Sequence, residues 1–144
     1  MPQCVVSVWL SRAARYFGCP SWSIAATLRL VGRWCHTFAD AIYDGVTPAP
    51  GVECAGQDFV TQKGDKWYYF VNHLSVKGHW DTGLAVKGAG PRAIKGVERA
   101  IKGARWLDNG EELEVKQDGD EAAIKCTGYP YGTDYVIRVA EISF

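Results

Sequence analysis

The hydrophobic period of the chain changes near residue 45, and that change constrains the fold more than any single residue does. Upstream, Leu28, Val31, Cys35, Phe38 and Ile42 recur at three- and four-residue steps, which places them on one stripe of a helix. Asp44-Gly45, followed by Pro48, Pro50 and Gly51, predicts that this helix ends near Tyr43 and that residues 46–57 are a linker. Downstream the period becomes two. In residues 111–126, Leu113 and Val115 alternate with Glu112, Glu114 and Lys116, and Ile124 and Cys126 follow Ala122 beyond Asp118-Gly119. Alternation puts one face of each strand in a core, and an Asp-Gly pair supplies the positive torsions of a tight turn, so this segment predicts a hairpin.

Further strands extend the pattern. Residues 67–74 form an aromatic, β-prone run entered through the Lys63-Gly64-Asp65-Lys66 turn from residues 58–62, and Asp108-Asn109-Gly110 marks another turn. Residues 135–142 close the chain, with Tyr135, Ile137 and Val139 on one face and Arg138 on the other. Residues 91–106 contain the near-repeat Ala93-Ile94-Lys95-Gly96 and Ala100-Ile101-Lys102-Gly103; two glycines weaken a helix there, and the segment reads as strand. The expected fold class is mainly β: a small antiparallel β-sandwich, residues 58–144, preceded by one α-helix. Residues 1–27 fit neither a strand nor a long helix and read as a leader.

Composition narrows the functional classes. Sixteen basic residues balance sixteen acidic ones, so no net field favours nucleic acid or an anionic membrane. The apolar run of residues 4–10 is too short to span a bilayer, and no basic residue precedes it as an export signal requires; no segment specifies a compartment. Cys4, Cys19, Cys35, Cys54 and Cys126 are odd in number and widely spaced, which reads as free, mostly buried thiols and not as a disulfide framework or zinc site.

His73 and His79 with Asp81 lack the spacing of a metal motif, and histidines near strand ends commonly bond locally. Asp81, Glu98, Glu111, Glu112 and Glu114 read as the solvent face of strands. Gly88-Ala89-Gly90 reads as a turn, and Lys87, Arg92, Lys95, Arg99, Lys102 and Arg105 as a solvated basic surface. No cofactor or metal is expected. The aromatic strand is apolar on both faces, with Trp67, Tyr69 and Val71 pointing one way and Tyr68 and Phe70 the other. One face is expected in the sandwich core, and the other against a further domain or a sugar.

Two stretches carry a family resemblance. Leu28-Arg29-Leu30-Val31-Gly32-Arg33-Trp34, followed by Ala39-Asp40-Ala41-Ile42-Tyr43-Asp44-Gly45, resembles the final barrel helix of the α-L-fucosidases, where Gly-x-Trp precedes Glu-Ala-Ile-Tyr-Gly; Asp40 replaces the glutamate. Phe59-Val60-Thr61-Gln62-Lys63-Gly64-Asp65-Lys66-Trp67-Tyr68-Tyr69-Phe70 resembles the first strands of that family's C-terminal sandwich. Ala104-Arg105-Trp106-Leu107-Asp108-Asn109-Gly110 and Val136-Ile137-Arg138-Val139 fit its ending. The resemblance covers residues 28–144.

It implies that residues 28–45 are the last helix of a missing (β/α)₈-like barrel and that the parent enzyme hydrolyses α-L-fucosides with retention. Such chemistry uses two carboxyl groups about 5 Å apart. Both belong to the barrel, and no segment here matches either motif, so no catalytic residue is assigned and the chain is expected to be inactive alone. Residues 1–27 match nothing in the family, which suggests a truncated gene, a wrong start or a shifted frame. The implied role is that of a non-catalytic module bracing the barrel through Trp34, Phe38, Tyr43, Trp67, Tyr69 and Trp80. Fucosylated glycans are a secondary partner of the same aromatics. The alternative is an independent carbohydrate-binding or interaction sandwich.

Overall fold

The structure, a computed structural model, describes residues 21–74, 89–130, 132–133, 135 and 137–144. Trp80, His79, Asp81, Lys87, Gly88, Cys4, Cys19 and the first twenty residues of the expected leader lie outside these. Two compact units, Met1–Trp34 and Cys35–Phe144, divide the chain.

Helix α1 spans Ser21–Thr37, beginning at Ser21 and not at Leu28 as expected. Ala25-Ala26 and Leu28 are strong helix formers, and no glycine or proline interrupts the segment before Gly32, so propensity extends the helix into the expected leader. In the first unit Leu28, Leu30 and Val31 are exposed. At Phe38 the backbone leaves helical geometry (φ −107°, ψ 25°), and a one-turn helix α2, Ala39–Ile42, follows. Asp44 (φ 63°) and Gly45 (φ 82°) then take left-handed conformations that end helical structure where the sequence predicts.

The second unit is mainly strands, in two antiparallel sheets, as expected. These strands are β1 (Thr47–Pro48), β2 (Glu53–Cys54), β3 (Phe59–Lys63), β4 (Lys66–Val71), β5 (Gly90–Lys95), β6 (Gly103–Trp106), β7 (Glu112–Leu113), β8 (Val115–Asp118), β9 (Glu121–Cys126) and β10 (Arg138–Ser143). One sheet has the order β1-β3-β4-β10-β6-β7 and the other β2-β5-β9-β8. The expected linker is therefore structured: β1 pairs with β3, and β2 pairs with β5 in the other sheet.

Two further corrections follow from crossings between the sheets. The 91–106 segment is two strands, not one, with β5 and β6 in different sheets. Gly96 marks the break: at φ +80°, a Cβ there would lie 2.1 Å from the Gly51 carbonyl oxygen, so only glycine fits. Leu113 and Val115 also belong to different sheets, the chain crossing at Glu114, so the 111–126 hairpin proper is β8–β9 around Gly119 (φ 61°). Gln117 fixes the loop between β5 and β6, donating to the carbonyls of Val97 and Arg99 at 3.3 and 3.0 Å and accepting from the Ile101 amide at 2.9 Å.

The inner core comprises Trp67, Tyr69 and Val71 of β4, Ala104 and Trp106 of β6, Ile94 of β5, Ala122, Ile124 and Cys126 of β9, and Ala140 and Ile142 of β10. Each large side chain fully removed from water here stabilises the fold by about 1.5–3 kcal/mol. The opposite face of β4 and β10 is also buried, with Tyr68, Phe70 and Val139 at 3%, 5% and 0% exposure. Helix α2 lies against β3, and Phe38, fully buried, meets the Tyr135 ring edge-on at 5.7 Å. Among the described residues the sheet edges are short. β1, β2 and β7 have two residues each, β1 includes Pro48, and β8 exposes Lys116 and Asp118.

Candidate functional site

The described aromatic residues singled out by sequence differ in their surroundings. Trp67 and Tyr69 point into the sandwich, at 8% and 0% exposure, so this face of the strand is the one packed in the core. Their strand is covered on both faces, and its other face, Tyr68 and Phe70, is already buried. Phe38 is committed to the second unit, Trp34 is half-buried, and Tyr43 is 52% exposed. Phe59, also exposed, stacks on Phe70 with centroids 4.4 Å apart.

What the fold does bring together is a buried polar layer at the end of the sandwich where β3, β5 and β10 begin. Arg138 is the centre of one half. It lies on the core face of β10, not the solvent face, and is fully buried with Asp108 at 3% side-chain exposure. Its Nη2 donates to Asp108 Oδ1 and Oδ2 at 2.9 and 3.0 Å, and Nε donates to Oδ1 at 3.1 Å. Nη1 reaches the Gly128 carbonyl at 2.8 Å, and the guanidinium carbon sits 4.1 Å from the centroid of a Trp106 ring. Trp106 Nε1 in turn donates to Thr127 Oγ1 at 2.8 Å. Arg138 belongs to β10 and Asp108 follows β6 in the six-stranded sheet, while Thr127 and Gly128 follow β9, so this network ties the two sheets together.

Asp58 organises the other half. Its Oδ2 accepts from Tyr69 Oη and from Arg92 Nη1, both at 2.8 Å, and its Oδ1 accepts from the Asn72 amide at 2.7 Å. Arg92 belongs to β5 and Tyr69 to β4, which makes a second bridge between the sheets. Arg92 is thus removed from the expected solvated basic surface. His73 Nε2 lies 2.8 Å from Gln57 Oε1 beside this network, a local bond of the kind expected at a strand end.

The electrostatics make this layer structural in character. Burial, and then the hydrogen bond and charge of Asp58, push the Tyr69 phenol far above its ordinary pKa, so it is a neutral donor. Burial raises the Cys126 thiol to about 12, and burial together with Asp58 raises Cys54 to about 11. Neither supplies a thiolate nucleophile at neutral pH. Among the described cysteines all three are free, but only Cys126 is fully buried; Cys35 and Cys54 are half-buried.

On the outer face Glu141 joins Lys66 and Arg105, both at 2.9 Å, and Glu114 joins Lys125 and Lys116 at 3.2 and 3.5 Å. Glu98, Glu112 and Glu114 are exposed, as a solvent face requires, while Glu111 turns partly inward, 4.0 Å from Arg138. Among the described residues no group of three or more potential ligands could hold a metal ion, and no helix is long and apolar enough to cross a membrane.

No protein-family model matches the sequence, and no curated protein matches it. Solved structures do. Alpha-L-fucosidase isoenzyme 1 from Paenibacillus thiaminolyticus aligns with a TM-score of 0.51 at 24% identity, covering 78% of this chain and 24% of that one. The Thermotoga maritima alpha-fucosidase aligns with a TM-score of 0.52 at 18% identity over 77% of this chain and 24% of that one. Its complex with a mechanism-based inhibitor aligns with a TM-score of 0.53 over 78% and 25%. The chain spans about a quarter of the length of these relatives. The fold expected from the sequence resemblance is therefore present: this chain has the fold of a quarter-length portion of the α-L-fucosidases.

Proposed function

We propose that this chain is the non-catalytic C-terminal β-sandwich of an α-L-fucosidase-like glycoside hydrolase, and that its role is to brace a catalytic barrel. The observation that carries this reading is the extent of the fold likeness, which takes in more than three quarters of this chain and about a quarter of each fucosidase. Two features support it. The buried carboxylates, Asp58 and Asp108, are held by arginines across the ends of the sheets, where they stiffen the sandwich and are not free to exchange protons with a substrate. Leu28, Leu30 and Val31 on the helix, and separately Tyr43, expose apolar surface of the kind that a neighbouring domain covers.

Hydrolysis of a chromogenic α-L-fucoside tests the catalytic side of this reading. The purified chain is expected to show none above the uncatalysed rate, and turnover that follows the protein through purification would overturn the proposal. Light scattering across a concentration series tests the bracing side. Reversible self-association is expected as the exposed helix face finds a substitute partner, and Leu28→Glu with Val31→Glu is expected to abolish it. A wild-type chain that stays monomeric at high concentration argues against an uncovered interface.

A further inference from the structure

We propose that Asn109-Gly110, in the turn between β6 and β7, is a self-modification site gated by opening of that turn. Asn109 and Gly110 are both exposed, and glycine places no side chain over the backbone nitrogen that would attack. In the reaction the Gly110 nitrogen bonds to Asn109 Cγ while the Cγ–Nδ2 bond breaks, and ammonia leaves carrying the Gly110 amide proton. Water then opens the resulting succinimide at either carbonyl, giving aspartate or isoaspartate, with no change in oxidation state.

The native turn sets two effects against each other. Asn109 Oδ1 accepts from the Glu111 amide at 3.0 Å and from Arg138 Nη2 at 3.2 Å, which polarises Cγ toward attack. The Gly110 amide, however, donates to the Trp106 carbonyl at 2.9 Å, and Asn109 Nδ2 donates to Glu111 Oε2 at 3.4 Å. A nitrogen must lose its proton before it can attack, so the bond to Trp106 withholds the nucleophile and outweighs the activated carbonyl. Reaction requires the turn to open first. Its product is not neutral to the fold: isoaspartate inserts an extra atom into the backbone between the Trp106 carbonyl and Arg138, loosening the buried layer that Arg138 centres.

The full chain is incubated at mildly alkaline pH in native buffer and in denaturant, and the peptide containing residue 109 is followed by mass spectrometry with an isoaspartate assay. Deamidation in native buffer slower by a factor of about ten or more than in denaturant supports gating by local opening. A smaller ratio, or a faster native rate, overturns it. Asn72, the only other asparagine, precedes His73 and serves as the internal reference; reaction at Asn72 matching that at Asn109 in denaturant would overturn the site assignment. Asn109→Gln, whose longer side chain must close a less favourable six-membered ring, is expected to remove the signal from this peptide, and its persistence would overturn the assignment to Asn109.

Discussion

At the end of the sandwich where β3 and β10 begin, Arg138 and Asp58 meet their partners out of water. On the outer face of the six-stranded sheet, Glu141 holds Lys66 and Arg105 within reach of it. The distances are alike, 2.8–2.9 Å in each case, yet the surroundings differ: Arg138 and Asp108 have side-chain exposures of 0% and 3%, whereas Glu141, at 11%, meets cations exposed at 54% (Lys66) and 57% (Arg105). Proximity therefore says little about what each pair contributes. In the interior a lone charge has nowhere to be solvated, so removing one partner is costly even where the pair itself adds little; at the surface, water replaces whatever is removed.

The sharpest way to break this contrast is Arg138→Ala, which strands Asp108 and leaves the Gly128 carbonyl without its donor. A loss of about 3–5 kcal/mol is expected, read from the urea midpoint at constant slope. Asp58→Asn keeps one acceptor for Tyr69 but removes the charge facing Arg92, and should cost about 2 kcal/mol in the same measurement. Replacing a whole pair, Arg138→Met with Asp108→Leu, should recover most of what the single substitution loses and come within roughly 1–2 kcal/mol of wild type, because no orphaned charge remains. If the double variant is as unstable as Arg138→Ala, the penalty lies in lost shape and not in desolvation.

Glu141→Gln should cost less than about 1 kcal/mol, and added salt should erase most of the difference. Burial by itself would raise the Glu141 pKa, but hydrogen bonds from Lys66 and Arg105 and their charges outweigh it and hold the carboxyl below its ordinary value. A native pKa below the unfolded one contributes stability that is fully present above about pH 4.3, the unfolded glutamate value, and is lost as pH falls through the lower native value. Comparing wild type with Glu141→Gln across that window should show the two stabilities converging with acid.

Much of this architecture is legible in the chain. The switch of period, the glycine turns and the doubly apolar 67–70 run anticipate two layers of sheet after a helix, because side-chain alternation is a local property. Crossings between sheets are not local. Nothing in Glu112 to Lys116 announces that Leu113 and Val115 belong to different sheets, and Gly96 reads as a helix breaker until the Gly51 carbonyl is seen against it. The polar layer is likewise a product of non-local pairing. Arg92 sits among cations and Arg138 among apolar residues that alternation assigns to opposite faces, and only the pairing of distant strands shows that Asp58 and Asp108 wait beside them. A lone arginine between isoleucine and valine in a strand, as at Arg138, with an Asp-containing turn elsewhere, is the one sequence signal that points there. Trp67 and Tyr69 lie inside because period two tells which residues share a face but not which face is the inside.

The truncated rims of both sheets bear on how this chain can meet copies of itself. Among the described residues, three of the four border strands offer only two residues of unpaired backbone, one of them containing a proline, and the fourth displays a lysine and an aspartate. A template that short cannot seed the growth of a continuous hydrogen-bonded ribbon. Association is thereby channelled to side-chain contact through the helix. That kind of contact is saturable and reversible by dilution, so the aggregates of this chain should stay dye-silent in amyloid assays and redissolve.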